Sequence, residues 1–192
     1  MTDLLALATL IFWPVIPLFW IPVHFATTFF KKLGLFTYIM PLITWLPWAC
    51  LVYQSQIFLL NFKINLPVVL NIVGFPFLIF GLLLHIWTAW LLGLRGIIGL
   101  PEISTRIKEN LVAGGPFSLV RHPTYLAHTL IFSGVFLITG VIAIGIITLL
   151  DFIIINTIII PLEEKELLSR FGKDYELYKK KVPSRFFPLI RS

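Results

Sequence analysis

Residues 125–161 read YLAHTLIFSGVFLITGVIAIGIITLLDFIIINTIIIP, a stretch whose one formal charge is Asp151. As one helix rising 1.5 Å per residue it would reach about 55 Å, and a bilayer core is ~30 Å thick. The stretch therefore folds back on itself. Gly140, near its middle, is the expected break, and the product is a helical hairpin whose first arm is short for a full crossing. The same reading extends upstream. Leu4 to about His24, Leu35 to about Leu60 and Val68 to Leu94 are each long and apolar enough to span. Pro14, Pro17 and Pro22 bend the first of them, and Pro41 and Pro47 lie inside the second. Asn61, Lys63, Asn65 and Pro67 form a short turn before the third, which ends near Trp87 and Trp90, a pair suited to the interfacial aromatic belt. The fold class expected is all-α: a polytopic membrane protein of about five transmembrane helices, the last two a hairpin.

Composition agrees. The chain of 192 residues is 58% hydrophobic and 12% charged, against ~25% charged in soluble domains. One membrane domain, 1–192, is the expected organisation, with three spans in 1–94 and a functional half in 95–192. The first apolar stretch follows only Met1, Thr2 and Asp3 and lacks a basic leader, so it reads as a retained helix. Cys50 is the single cysteine, so no internal disulfide forms, and no metal-ligand spacing appears. The 15 Lys and Arg, Lys63 excepted, fall on one side when the loop at Lys31, the loop from Arg95 to Arg121 and the tail share it. The positive-inside rule makes that side cytoplasmic and puts the N-terminus outside, in a cell inner membrane or the endoplasmic reticulum. Orientation and anionic lipid account for the net charge of +6 without a nucleic-acid partner.

Beyond Leu162 the composition changes. Leu167, Leu168, Phe171, Tyr175, Tyr178 and Val182 recur at helical spacing, with Glu166, Lys173, Glu176, Lys179 and Lys180 opposite. The pattern predicts a cytoplasmic amphipathic helix on the membrane or bundle, interrupted at Gly172 and stopped by Pro183.

Polar side chains are scarce, so their clusters carry information. Gly114-Gly115-Pro116 and Arg121-His122-Pro123-Thr124-Tyr125 precede the hairpin. The glycines allow close backbone approach to a ligand, Arg121 offers a forked cation suited to a carboxylate, and His122 donates or accepts near neutral pH. Read blandly, they make a structured interfacial loop. Glu163 and Glu164 follow the hairpin; being ~100° apart on a helix, they point at different partners. Their bland reading is a solvated helix start. Asp151 is an acid inside an apolar arm and lies level with His128 across the hairpin, so the two are expected to pair or share a water. His24 and His85 have no evident partner and read as packing residues.

These clusters resemble a known superfamily. Leu111-Val112, Gly115-Pro116-Phe117, Val120 and Arg121-His122-Pro123-x-Tyr125, followed by Glu163-Glu164, Leu167, Phe171-Gly172, Tyr175, Tyr178, Val182-Pro183, Arg185-Phe186 and Pro188, are similar to the isoprenylcysteine carboxyl methyltransferases and phospholipid methyltransferases. The resemblance covers roughly 111–188. It implies S-adenosyl-L-methionine held at the cytoplasmic interface, between the loop before the fourth span and the tail. Gly115, His122, Pro123 and Tyr125 would line its pocket, Glu163 and Glu164 would meet its ribose or amino end, and Tyr175, Tyr178 and Arg185 would close over it. Gly93, Gly96 and Gly99 are implicated in parts of the superfamily. Arg121, Glu163 and Glu164 are the candidate catalytic residues. In two places the chain departs from the pattern: Thr157 to Pro161 replaces arginines found before the glutamates of prenylcysteine enzymes, and Ala127 stands where glycine is common.

The resemblance implies a membrane methyltransferase for a lipophilic substrate, an isoprenylcysteine carboxylate or a lipid headgroup, with membrane lipids as its surroundings. A carboxylate acceptor needs no general base, and O-methylation is favoured on that ground; an amine must first lose a proton. Two other classes remain: an NADPH-dependent ene-reductase of related helical core, though such enzymes are typically larger, and a non-catalytic lipid-binding scaffold.

Overall fold

The computed structural model describes residues 2–104 and 110–187, which are 83% helical with no strand. Pro188, within the resemblance above, lies outside them. Four helical stretches are long and apolar enough to cross a membrane: Thr2–Phe25, Thr27–Gln54, Val68–Ile103 and Ile142–Phe171, with the shorter Pro123–Thr139 completing the set.

Prolines and glycines subdivide these rods. The first breaks at Trp13 and Pro14 into α1 (Thr2–Phe12) and α2 (Val15–Phe25). The second comprises α3 (Thr27–Leu33), a 3-10 turn at Gly34–Tyr38 and α4 (Ile39–Gln54). The apolar run expected to continue to Leu60 breaks at Ser55 and resumes as α5 (Gln56–Asn61). The third, α6 (Val68–Ile97), kinks at Gly93 and leads through Gly99 into the one-turn α7 (Leu100–Ile103).

The hairpin forms as the length argument requires. α8 (Pro123–Thr139) ends at Gly140 in the left-handed conformation, φ 63° and ψ 7°, which glycine adopts without steric cost. α9 (Ile142–Ile154) returns. Gly140 also receives the preceding turn: Ile64 N–H donates to its carbonyl at 2.8 Å. α8, at 17 residues, is about 25 Å long and is sheathed on one side by α6. The two cross where Gly74 and Gly134 meet. A Cβ built on Gly134 would lie 2.6 Å from Leu78 N and 2.8 Å from Gly74 O, so the backbones touch. Asn71 Nδ2 donates to Leu137 O at 2.7 Å and pins the same crossing.

Asp151 pairs with His128 as its level across the hairpin suggested, Nδ1 to Oδ2 at 3.1 Å. Its other oxygen accepts from Trp13 Nε1 at 3.1 Å, a third partner from α1. Asp151 is 1% exposed, and both carboxylate oxygens have partners, the condition under which such a group is tolerated at depth.

The tail has the expected interruption at Gly172 but begins differently from the expected separate surface helix. α9 does not stop at Pro161; it passes through a π turn at Ile155–Ile159 into α10 (Ile160–Phe171). Pro161 has no N–H and its ring crowds the carbonyl four residues back, and the wider turn absorbs both defects. Gly172 separates α11 (Lys173–Lys181) from α10. Within α10 the expected faces are exchanged: Leu168, expected on the buried face, is exposed, while Glu166, expected on the solvent face, is buried. Charge explains the exchange, since Lys31 and Arg170 approach Glu166 at 3.9 and 3.6 Å. Tyr175, Tyr178 and Val182 are buried with Leu111, Leu167 and Phe171 against them. The molecule has two distinct ends: Asp3, Lys63 and Gly140 at one, and Lys31, Glu102, Arg121, the glutamates and α11 at the other.

Candidate active site

The segment after α11 has no regular partner of its own, and it finds one in the loop before α8. Arg121 N–H donates to Ser184 O at 2.9 Å and His122 N–H to Arg185 O at 3.0 Å. Side chains reinforce the strap. Arg121 Nη1 donates to the carbonyls of Val182 and Pro183 at 2.7 and 2.6 Å, and Tyr178 donates its hydroxyl to Phe117 O at 2.7 Å. Phe186 then packs with Tyr125, Ile155, Ile159 and Ile160. Residues some sixty positions apart in sequence are thus held side by side at one end of the bundle.

The paired glutamates diverge. Glu164, 6% exposed, accepts from Arg121 Nε and Nη2 at 3.0 and 2.8 Å and from Lys179 at 3.1 Å. Arg185 approaches it at 3.4 Å. Arg121, the expected partner of a ligand carboxylate, therefore already holds one, and its remaining donors hold the strap. Glu163 points elsewhere. Its Oε2 lies 3.7 Å from His122 Nδ1 and has no hydrogen-bond partner among the described residues.

Glu163 faces a cavity of about 440 Å³, within the usual size of ligand sites. Arg121, His122, Tyr125, Glu163, Tyr175 and Tyr178 line it, whereas Gly115, Pro123, Glu164 and Arg185 are not among its lining residues. Gly115 is packed against α6, where an added Cβ would meet Leu91 at 2.9 Å. Of the three glycines after the third span, Gly96 alone lines the space. Gly99, at φ 71°, turns the chain against Trp20. Sequence reasoning missed Trp20, His85, Glu102 and Arg170, all in the lining. His85 lies before the Gly93 kink of α6, inside the third span, and Gly96 after it, and both line the cavity, which thus extends from the strapped end toward the membrane interior. Val15, Ile16 and Leu92 give it apolar walls.

Three atoms of lining residues are buried without hydrogen-bond partners among the described residues, Glu163 Oε2, Tyr175 Oη and Glu102 Oε2, while His122 Nε2 lies 3.5 Å from Glu164 Oε1. Unpaired buried polar atoms are costly in a folded protein, and a polar ligand relieves the cost. Burial pushes the Tyr178 hydroxyl up to about 12, and burial together with the Glu164 carboxylate pushes Tyr175 up as well. Both phenols remain neutral donors at physiological pH. Among the described residues no group of three or more His, Cys, Asp or Glu side chains is placed to hold a metal ion.

Known proteins place the chain in a family. The cobalt-zinc-cadmium resistance protein CzcN of Cupriavidus metallidurans is 34% identical over 88 residues, 46% of this chain. The aligned part is 40% of that protein, so the similarity spans well under half of the relative's length. No solved structure matches. The phospholipid methyltransferase family matches residues 69–174, which run from the start of α6 through the loop, the hairpin and the glutamates into α11. That is more than half of the chain and includes most of the cavity wall, and this protein belongs to the phospholipid methyltransferase family.

Proposed function

We propose that the protein transfers a methyl group from S-adenosyl-L-methionine to a lipophilic acceptor at the membrane interface. The observation that carries the reading is the cavity joining the Arg121–Tyr125 loop to Glu163, Tyr175 and Tyr178, with its unpartnered polar atoms. Those atoms fit the donor: acidic oxygens suit an ammonium or ribose hydroxyls, and aromatic walls suit a base. The bound donor would supply a methyl group already activated on a sulfonium.

The chain's own contribution is then to bind, orient and exclude water. Glu163 and His122 hold the polar end, and Tyr125, stacked on His122 with ring centroids 5.9 Å apart, supports the loop. The strap keeps solvent from the strapped end. Val15, Ile16, Phe19 and Leu92 offer the acceptor a greasy path from the bilayer side. The acceptor is of the isoprenylcysteine-carboxylate or lipid-headgroup type. A carboxylate oxygen attacks without a base, which favours O-methylation. The strapped end faces the cytoplasm, by the distribution of basic residues.

Calorimetric titration of the purified protein with S-adenosylhomocysteine and with NADPH tests the reading. S-adenosylhomocysteine is expected to bind and NADPH not to. His122→Ala and Glu163→Ala are expected to weaken S-adenosylhomocysteine by about 10-fold or more with unchanged melting. NADPH binding alone would make the protein a reductase, and binding of neither would make it a lipid-binding scaffold.

A further inference from the structure

The cavity has a second charged wall that neither the motifs nor the family match explains. Glu102, in the one-turn α7, is 9% exposed. Its Oε1 accepts from Arg170 Nη1 at 3.1 Å. Both residues line the cavity, and each keeps an unused group: Glu102 Oε2 and Arg170 Nε are buried without hydrogen-bond partners among the described residues. A buried acceptor and a buried donor, held together and both spare, form a site for a ligand carrying a cation and an anion side by side.

Charge balance narrows the ligand. Among the described residues, the ion pairs at this point join Lys31, Arg170, Glu102 and Glu166, two basic and two acidic side chains. A lone carboxylate or a lone amine would leave one buried charge uncompensated, which is expensive. A zwitterion adds no net charge and satisfies both spare groups. Helical spacing separates this point from Glu163. Glu163, Leu167 and Arg170 share the cavity-facing side of α10, and seven residues of helix put Arg170 ~10 Å beyond Glu163. The two carboxylates therefore hold different parts of one ligand.

We infer that Glu102 and Arg170 bind the amino-acid zwitterion of the methyl donor, Glu102 taking the ammonium and Arg170 the carboxylate. The inference rests on the donor proposed above and assigns its amino-acid end to a wall outside the paired glutamates, leaving Glu163 for the ribose.

The test compares S-adenosylhomocysteine with 5′-methylthioadenosine, which keeps the nucleoside and sulfur but lacks the amino-acid group. Both are titrated into the full chain and into Glu102→Gln and Arg170→Gln. The unaltered protein is expected to prefer S-adenosylhomocysteine by about 10-fold or more. Each variant is expected to lose most of that preference while binding 5′-methylthioadenosine as before, which also shows that it is folded. Unchanged S-adenosylhomocysteine affinity in both variants would overturn the inference. So would an equal loss for both ligands, because the pair would then merely shape the cavity. Failure of the unaltered protein to bind either ligand would instead remove the donor reading, and this inference with it.

Discussion

Arg121 reaches Glu164, Val182 and Pro183 at once, and a lysine in its place would have one ammonium to divide among them. Arg121→Lys is therefore expected to loosen the strap without removing charge. Amide hydrogen exchange at 182–187 should accelerate, and S-adenosylhomocysteine should bind about 3- to 10-fold more weakly. Equal exchange in both proteins would show that the backbone bonds suffice. At this scale the sequence was readable where a polar residue interrupted an apolar chain, which is why Arg121, His122, Glu163 and Glu164 stood out. Which glutamate faces the cavity depends on helical phase, and phase depends on a π turn that composition does not announce. Glu102 and Arg170 were illegible for the opposite reason. Nothing in sequence sets them apart from other charged residues, and their shared place in the cavity wall distinguishes them.

The hairpin could be read before the structure because its length, its glycine and its single acid all constrain one another. Its link to α1 could not, since nothing in the surroundings of Trp13 marks that indole for Asp151. The cluster is expected to act as a unit. In a double-mutant cycle of His128→Ala and Asp151→Ala, followed by thermal unfolding in detergent, the losses should fall short of additivity by about 0.6–1.7 kcal/mol, the range of buried polar pairs in membrane helices. Simple additivity would mean that each residue is held by other neighbours. The interruption at Gly172 and the buried Tyr175, Tyr178 and Val182 beyond it agree with the hydrophobic stripe, whereas in α10 Leu168 turns outward and Glu166 inward. The ion pairs of Glu166 determine which side of α10 turns inward there.

Over the whole molecule, the two polar ends follow from where charge is cheap. Lys63 meets Asp3 at one end, and the remaining described basic residues gather at the other, around the strap. The proposed orientation can be checked in a Cys50→Ser background, because Cys50 is an exposed thiol. Lys63→Cys is expected to react with a membrane-impermeant maleimide in intact cells, and Lys180→Cys only after permeabilisation. The reverse pattern would put the cavity mouth on the other side and deny it the cytosolic donor.

The turn at Ile155–Ile159 holds one residue more than a regular helical turn. If Pro161→Ala let that surplus relax into ordinary helix, everything beyond would rotate by ~100° and advance ~1.5 Å. Glu163 would leave the cavity and Glu164 would leave Arg121. Removing a residue instead, such as the exposed Ile158, would straighten the rod and return both carboxylates to their present bearings. Shortening this transmembrane rod by one residue, ordinarily a ruinous edit, is expected to preserve S-adenosylhomocysteine binding better than the milder-looking proline replacement does.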